Sequence, residues 1–449
     1  MTHQPRQVSD IDKLAHIPKL DLSLLEQNEN PEPTDFKLLG YSVSSWLAQV
    51  DRIGPVFQAN LDGNDSVVIA TAEANVQAWK GPKDWAYRPT DASTFFRNQM
   101  GDEHISTLDG EPHRRLRKLV LPGFGAAALN RDISIAADII SKGFTESSGQ
   151  STNIHETLCR LYAQSFTKTQ IKVDISDSLL AVLNRFEEEF ISGLQLSLAD
   201  QDKWFGREKY QQLRAEAFEY FNRVVRIRSK GEHTDDSMAI LLDRKPPDGC
   251  EPLDDQELAQ AVYFLSVAGV GNIANLLCPL MWAIQGTQWV PRLQHELEEF
   301  TPAKLTGMRD FPVMRALIAE AERCFAPAQM VPKRTTTDIE FLGKHIPANT
   351  LVSHLHALSH FEVARYPDPL RFKPERWLSE DLNKPNAFGG GKHMCLGLGV
   401  TRVYLPLTLA LIYREYDVVI DGPPRSESLE PSFEPAPRST VMHTRLIRR

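Results

Sequence analysis

The sequence predicts a mainly α-helical protein with a small β-rich lobe, and three observations support this fold class. Residues 72–326 follow a mostly helical pattern of apolar and polar positions. Short β-rich runs separated by turn residues occur near 54–71, 335–352 and 416–449. The length of 449 residues exceeds the usual size of one core, but no linker is long enough to separate domains. We therefore expect a single domain over residues 1–449.

The N-terminal part is predicted to contain an extended segment followed by a hairpin. Residues 1–40 are rich in proline and acidic side chains, so we expect little regular structure there. Two β-rich runs follow, at 56–60 and 67–70, with the turn residues 62–65 between them. Runs joined by such a turn predict a β-hairpin.

The composition narrows the possible functions. The formal net charge is -9 and no Lys/Arg-rich tract occurs, which argues against a nucleic-acid binder. The five cysteines are scattered and include no C-x-x-C pair, a pattern typical of a reduced, intracellular protein. Residues 1–20 are polar and lack the apolar core of a signal peptide or membrane anchor, so we expect a cytoplasmic protein.

Residues 253–288 predict a long helix. Asp254 and Glu257 have the spacing of a capping box, and no charged residue lies between Glu257 and Arg292. Such a stretch is long enough to span a membrane. Its polar and small side chains favour a helix that crosses the interior of a protein instead, and they are Gln260, Ser266, Gly269, Gly271, Asn272, Asn275 and Pro279.

A glycine-rich segment at 388–402 surrounds a single cysteine, Cys395. Glycine adopts backbone angles that other residues avoid and lets a flat ligand approach closely. An apolar run with helical character follows at 396–412, so Cys395 is predicted at the start of a helix. Backbone N–H groups and the helix dipole stabilise a thiolate there, which suits an axial metal ligand. The alternative is a buried structural cysteine beside a glycine-rich turn.

This segment resembles the haem-binding signature of the cytochrome P-450 family, F-x-x-G-x-H/R-x-C-x-G. Its positions are filled, in order, by Phe388, Gly391, His393, Cys395 and Gly397. The resemblance implies a P-450-type fold in which heme b lies between a long central helix and the Cys-bearing loop. It also implies that the Cys395 thiolate is the axial ligand of the iron and that the other four residues bind the cofactor.

A second motif lies far upstream, on a helix predicted at 109–120. His113 and Arg117 are one turn apart on the same face of this helix. The resemblance implies that both bind the haem propionates, with Arg334 and His393 as further propionate ligands. A basic, solvent-facing helix surface is the alternative for the helical pair.

Glu320 and Arg323 match the family's E-x-x-R motif, and Arg376 lies in a downstream stretch, F-K-P-E-R, that matches its arginine-bearing motif. The resemblance implies that these residues form a triad that stabilises the fold behind the haem. An exposed helical ion pair is the alternative for Glu320 and Arg323.

The central helix departs from the family pattern A-G-x-D/E-T-T, whose acid and alcohol help to deliver protons to oxygen. Aligned on Ala268 and Gly269, the chain has Gly271 in the acid position and Asn272 in the alcohol position. We predict these four residues at the catalytic face of the haem. Glycine cannot relay a proton, and an amide is not an acid at neutral pH. Either water and substrate complete the relay, or the chemistry is not standard hydroxylation.

The resemblance implies a haem-thiolate monooxygenase that inserts one oxygen atom from O₂ into an apolar small organic molecule, such as a secondary metabolite or terpenoid-like compound. A separate ferredoxin or flavodoxin would supply the electrons. The alternatives are a peroxide-using oxidase, a nitrogen-oxide reductase, an isomerase, or a haem-thiolate sensor without turnover.

Two surfaces follow from the same resemblance. A basic docking patch for the electron donor is expected on the cysteine side of the haem, at Arg114, Arg115, Lys118 and Lys392. Substrate-lining segments are expected at 87–105, 329–331 and 433–441.

Overall fold

The architecture is known from a computed structural model. It describes residues 14–26, 36–61, 63–80, 87–89, 105–106, 108–194, 196, 198–230, 236–243, 251–379, 382–421 and 442–449.

Helices form most of the described chain, as the sequence predicts. They are α1 (Ser23–Glu26), α2 (Val43–Ile53), α3 (Ala72–Lys80), α4 (Gly110–Val120), α5 (Ala126–Arg131), α6 (Ile133–Ser147), α7 (Ile154–Gln170), α8 (Asp177–Leu194), α9 (Leu198–Phe205), α10 (Glu208–Arg228), α11 (Ser237–Asp243), α12 (Asp255–Ser266), α13 (Val270–Ile284), α14 (Trp289–Glu296), α15 (Pro312–Cys324), α16 (Arg376–Ser379) and α17 (Leu398–Glu415). Segments of 3-10 helix occur at Leu121–Phe124, Pro302–Asp310, His356–Phe361 and Gly391–His393.

The strands are short and belong to small sheets. They are β1 (Lys37–Leu38), β2 (Tyr41–Ser42), β3 (Val56–Leu61), β4 (Asn64–Ile69), β5 (Tyr87–Pro89), β6 (Thr152–Asn153), β7 (Val331–Thr335), β8 (Ile339–Phe341), β9 (Lys344–Ile346), β10 (Leu351–His354), β11 (Tyr416–Ile420) and β12 (His443–Arg448). The largest sheet has the order β3-β4-β10-β7-β5, and a three-stranded sheet has the order β11-β12-β6. The pairs β1-β2 and β8-β9 form separate ribbons.

The predicted hairpin is confirmed and forms one edge of the large sheet. Strands β3 and β4 are antiparallel, with Val56 opposite Ile69 and Leu61 opposite Asn64. Strand β10 joins β4 in parallel, with Val352 opposite Val67, and so brings the 335–352 patch onto the hairpin.

The predicted central helix is two helices rather than one. The Tyr263 carbonyl accepts from the N–H of Val267 at 2.9 Å and from that of Ala268 at 3.4 Å, which widens the turn. The Ser266 hydroxyl also donates to the Val262 carbonyl, a bond that bends helices. The backbone is therefore irregular at 267–269, between α12 and α13.

The start and burial of this helix pair agree with the sequence prediction. The Asp254 side chain accepts from the Glu257 N–H at 2.8 Å, and the Glu257 carboxylate accepts from the Asp254 N–H at 3.1 Å. Within the described residues, Asp255–Ile284 is long and apolar enough to cross a membrane, but 67% of its apolar 18-residue segment is buried inside the protein.

The predicted triad is present and buried. Glu320, Arg323 and Arg376 are each at most 1% exposed. Arg323 Nη2 lies 2.9 Å from Glu320 Oε1, and Arg376 Nε lies 3.2 Å from Glu320 Oε2. The triad thus ties α15 to the start of α16.

Candidate active site

A cavity of about 440 Å³ lies between the α12–α13 pair and the cysteine loop. Its helix wall is mostly apolar, with Phe264, Leu265, Ala268, Ile273 and Leu276 among the lining residues. Within the described chain, no aspartate or glutamate lines it. An apolar enclosure of this kind suits a flat, largely apolar ligand.

Cys395 lines this cavity from the loop just before α17. Its backbone N–H donates to the Phe388 carbonyl at 3.1 Å, and its sulfur accepts the N–H of Gly397 at 3.2 Å. Burial raises the pKa of the Cys395 thiol, whereas the N–H groups of Gly397 and Leu398 and the charge of Arg117 act to lower it. A bound metal cation would tip this balance towards the thiolate, because a coordinating thiol is deprotonated.

The other described cysteines do not line the cavity. Burial raises the pKa of the Cys159, Cys278 and Cys324 thiols above the ordinary value. They are typical of inert, structural cysteines. Cys395 is therefore the described thiol that could hold a metal in this cavity.

The glycines before Cys395 are required by close packing against α3. Gly391 has a φ of 69°, a left-handed conformation that favours glycine. A Cβ atom on Gly390 would lie 2.3 Å from the ring of Trp79. Trp79 also lines the cavity, although no sequence motif indicated it.

Basic side chains gather at one edge of the cavity. The structure brings together the predicted residues His113, Arg117 and His393, and it adds Lys333. The two imidazole rings stack with centroids 3.9 Å apart. His113 Nδ1 and His393 Nε2 are buried without a hydrogen-bond partner in the described chain, and the latter lies 3.7 Å from Asp109 Oδ1.

The electrostatics of this edge fit an anionic ligand. Burial, followed by the charges of His393 and Arg117, lowers the pKa of His113 to about 4. Burial also lowers the pKa of Lys333 to about 8. Carboxylate groups placed here would satisfy the buried donors and offset the penalty on the cations. The two propionates of heme b are such groups, and its apolar ring matches the rest of the cavity.

Arg334 does not line the cavity, contrary to the sequence expectation. Its Nη1 donates to the Asn349 carbonyl at 2.7 Å. Neighbouring residues on a strand point to opposite faces of the sheet, so β7 directs Lys333 into the cavity and Arg334 away from it. Lys333 is the residue that the motif comparison missed, although strand alternation would have indicated one of the two.

Ala268, Gly269 and Asn272 line the cavity, whereas Gly271 does not. The Asn272 amide Nδ2 donates to the Ala268 carbonyl at 3.4 Å, across the irregular turn. Asn272 is exposed towards this space, unlike the buried Ile273 beside it.

Only part of the expected substrate-lining segments lies among the described residues that line the cavity. Ile105 and Val331 line the cavity, and Ser106 lies beside Ile105 in its wall. Gln329 does not line it, because its Oε1 instead accepts the Leu39 N–H at 2.9 Å. Residues 90–104 and 433–441 lie outside the described residues, as do residues 1–13 and 27–35 of the N-terminal segment.

One of the four residues expected in the basic docking patch, Arg115, is bonded within the fold. Arg115 Nη1 lies 2.5 Å from Glu257 Oε1, and the same guanidinium donates to the carbonyls of Glu251 and Pro252. Arg115 therefore holds α4 to the start of α12. Arg114, Lys118 and Lys392 are exposed, and Arg114 forms a surface ion pair with Glu111.

Comparison with known proteins supports a haem-binding role for this cavity. A model of the cytochrome P450 family matches residues 42–444. Cyclooctat-9-en-7-ol 5-monooxygenase of Streptomyces melanosporofaciens is 23% identical over 81% of this chain and 84% of its own. Putative cytochrome P450 120 of Synechocystis is 25% identical over 86% of this chain and 88% of its own.

The fold has a counterpart among solved structures. Retinoic acid bound cyanobacterial CYP120A1 superposes with a TM-score of 0.75 at 22% identity, covering 96% of this chain and 98% of that one. The family match spans most of the sequence and includes both the cysteine loop and the basic edge of the cavity. The chain therefore belongs to the cytochrome P450 family, and it is a haem-thiolate oxidoreductase of the monooxygenase type.

Proposed function

We propose that the enzyme inserts one oxygen atom from O₂ into a largely apolar, terpenoid-like molecule that carries a polar group near the oxidised carbon. The observation behind this proposal is an apolar helix wall in which α13 contributes one amide, Asn272, beside Ile273 and Leu276. The Streptomyces relative is named as a 5-monooxygenase of an alcohol, cyclooctat-9-en-7-ol, and the structural neighbour for bound retinoic acid. Both names support a substrate of this class.

In this proposal Cys395 is the axial ligand of the haem iron, and Phe388 and Gly397 belong to the loop that carries it. His113, Arg117, His393 and Lys333 hold the propionates, and Arg334 is not part of this set. When bound, a haem with a thiolate ligand activates dioxygen, since the thiolate pushes electron density that favours O–O cleavage.

The protein itself contributes positioning and the exclusion of water. The apolar wall holds the substrate and keeps bulk solvent from the reacting carbon. The Ala268 carbonyl fixes the Nδ2 side of the Asn272 amide, which leaves Oδ1 to accept a hydrogen bond from a substrate hydroxyl or a water. An alcohol oriented in this way can donate a hydrogen bond in turn. The substrate hydroxyl or a water thus supplies the proton-relaying group that the missing acid and threonine do not.

We infer that a cytoplasmic ferredoxin or flavodoxin supplies the electrons. Arg114, Lys118 and Lys392 are exposed and belong to α4 and the cysteine loop. An acidic partner would be attracted to them at low ionic strength. We further infer that residues 1–449 act as a single domain.

A second candidate is a haem-thiolate enzyme of non-standard chemistry, such as a peroxide-using oxidase, a nitrogen-oxide reductase or an isomerase. The observation that favours it is the absence of an acid among the described lining residues. Turnover with hydrogen peroxide that exceeds turnover with reduced nicotinamide and surrogate electron carriers would support this alternative.

Titration with terpenoid alcohols and with their deoxy analogues tests the proposed substrate class. We expect the alcohols to shift the haem absorption band at lower concentration. Product formed per reduced nicotinamide should fall in Asn272→Ala and stay near the wild-type value in Asn272→Thr, because threonine keeps a hydrogen-bonding group. Equal binding of both ligand series, together with unchanged coupling in Asn272→Ala, would contradict the proposal.

A further inference from the structure

An accessible stripe runs along α13 and leaves the cavity. Ala268, just before α13, and Asn272, Asn275 and Pro279 within it are partly or fully accessible, while the intervening residues other than Gly269 and Gly271 are buried. Within α13, the spacing of three and four residues places Asn272, Asn275 and Pro279 on one side of the helix. Ala268 and Asn272 line the cavity, whereas Asn275 and Pro279 do not. The stripe therefore continues beyond the cavity wall.

Gly271 leaves an opening beside this stripe. A Cβ atom on Gly271 would meet no atom within 4 Å among the described residues, apart from the neighbouring backbone. Gly271 and Asn275 are four residues apart and so share a helix face. The Cβ position at residue 271 is thus open, on the helix face that Asn275 shares.

The Asn275 amide is oriented by a residue distant in sequence. Its Oδ1 lies 2.8 Å from His155 Nε2, on α7. His155 Nδ1 lies 3.8 Å from the Cys159 sulfur, and burial keeps the Cys159 thiol protonated by raising its pKa. A protonated thiol can donate only to an unprotonated Nδ1, so Nε2 carries the imidazole proton.

This bonding leaves Asn275 with polar groups that can bind water. Because His155 Nε2–H occupies the Asn275 Oδ1, the two N–H bonds of the Asn275 amide remain as donors. Pro279 has no N–H, so the Asn275 carbonyl also lacks its usual helical donor. A water bound to the amide nitrogen would accept with its oxygen and keep both of its hydrogens for donation.

We propose that water in the space beside Gly271, held by Asn275 and oriented through His155, forms the proton passage that replaces the missing acid. This inference rests on the proposed monooxygenase function. In that reaction substrate, dioxygen, two electrons and two protons give the alcohol and one water, so the two protons from solvent end in that water. His155 and Asn275 are positioning residues, and the water chain carries the protons.

Paired substitutions on two helices test the passage. His155→Leu removes the donor to Asn275, whereas His155→Gln keeps an N–H near the position of Nε2. Gly271→Val fills the opening from the other helix, and Gly271→Asp supplies an acid there. Glu156→Gln is the matched control, since Glu156 is the exposed neighbour of His155 on α7.

We expect product formation to fall about tenfold in His155→Leu and in Gly271→Val, with more peroxide and a larger solvent isotope effect. This loss is smaller than the roughly 10²–10⁴-fold contribution of a positioned proton-transfer group, since water still enters the cavity. His155→Gln, Gly271→Asp and Glu156→Gln should retain most of the wild-type rate, and substrate affinity should stay unchanged throughout.

An independent readout is the C–O stretching frequency of the reduced carbon-monoxide complex, which reports hydrogen bonding near the bound ligand. This frequency should shift in His155→Leu and Gly271→Val and should match the wild-type value in His155→Gln. Wild-type coupling in both disruptive variants, or equal effects of leucine and glutamine at position 155, would overturn the passage. If the wild type forms no product from any substrate, the monooxygenase proposal fails, while the infrared shifts still decide whether the water is present.

Discussion

Removal of the Glu320 carboxylate is expected to cost about 3–5 kcal/mol of unfolding free energy, the range for breaking a buried ion pair. The carboxylate accepts from Arg323 Nε at 3.0 Å and Nη2 at 2.9 Å, and from Arg376 Nε at 3.3 Å. The Trp377 indole and the Lys373 N–H also donate to it, each at 2.7 Å. Glu320→Ala therefore leaves two guanidinium groups, both at most 1% exposed, without their anion.

The carbonyls that remain around the triad do not replace this anion. Arg323 Nη1 still donates to the His360 and Pro369 carbonyls at 2.9 and 2.8 Å. These bonds satisfy N–H groups but supply no formal negative charge. Since domains unfold at a total cost of about 5–15 kcal/mol, a loss of this size should appear as a much lower urea midpoint and as poor haem retention.

Urea unfolding followed by circular dichroism measures the effect, with Glu298→Ala as the control. Glu298 forms an exposed pair with His295, and its side chain is 68% exposed, so its loss should cost less than about 1 kcal/mol. Glu320→Gln keeps the shape and an acceptor, and it should fall between the two. A Glu320→Ala midpoint equal to that of Glu298→Ala would refute the reasoning that burial makes the triad costly to break.

Three further outcomes follow from the site. In Cys395→His the reduced carbon-monoxide complex should lose the red-shifted band typical of thiolate ligation, even where haem is retained; persistence of that band would reject Cys395 as the ligand. Haem transfer to apomyoglobin should be faster from Lys333→Met than from Arg334→Met, because of these two residues only Lys333 lines the cavity. The reverse order would favour Arg334 as the propionate ligand. In the haem-free protein, the pKa of His113 is lowered from 6.5 to about 4, so the unfolded chain binds a proton that the folded chain does not. The urea midpoint should therefore decrease as the pH is lowered from 6.5 to 4, and His113→Gln should reduce that decrease. An equal decrease in His113→Gln would exclude His113 as a contributor.

Local sequence signals were enough to predict several elements of this protein. The hairpin of β3 and β4, the capping box at Asp254 and Glu257, and the helix that follows Cys395 each depend on residues a few positions apart. The triad and the cysteine loop were predicted by a resemblance whose motifs retain their order along the chain. Such features are encoded by backbone preferences and short spacings, which can be recognised without knowledge of distant contacts.

Other features depend on contacts between residues far apart in sequence. The pairing of β7 with β10 places Lys333 rather than Arg334 in the cavity, because that register sets which face each side chain occupies. Arg115 was expected on a docking surface, yet Glu257, 142 positions away, holds it within the fold.

The residues expected above the haem also depend on contacts that local sequence does not reveal. The sequence by itself determined that an acid and an alcohol are replaced by Gly271 and Asn272. Only the tertiary structure brought His155 to Asn275, 120 positions away, and left the Cβ position of Gly271 open. The physical reason is that a side chain's identity is local, whereas its hydrogen-bond partner and the space beside it depend on how distant helices pack.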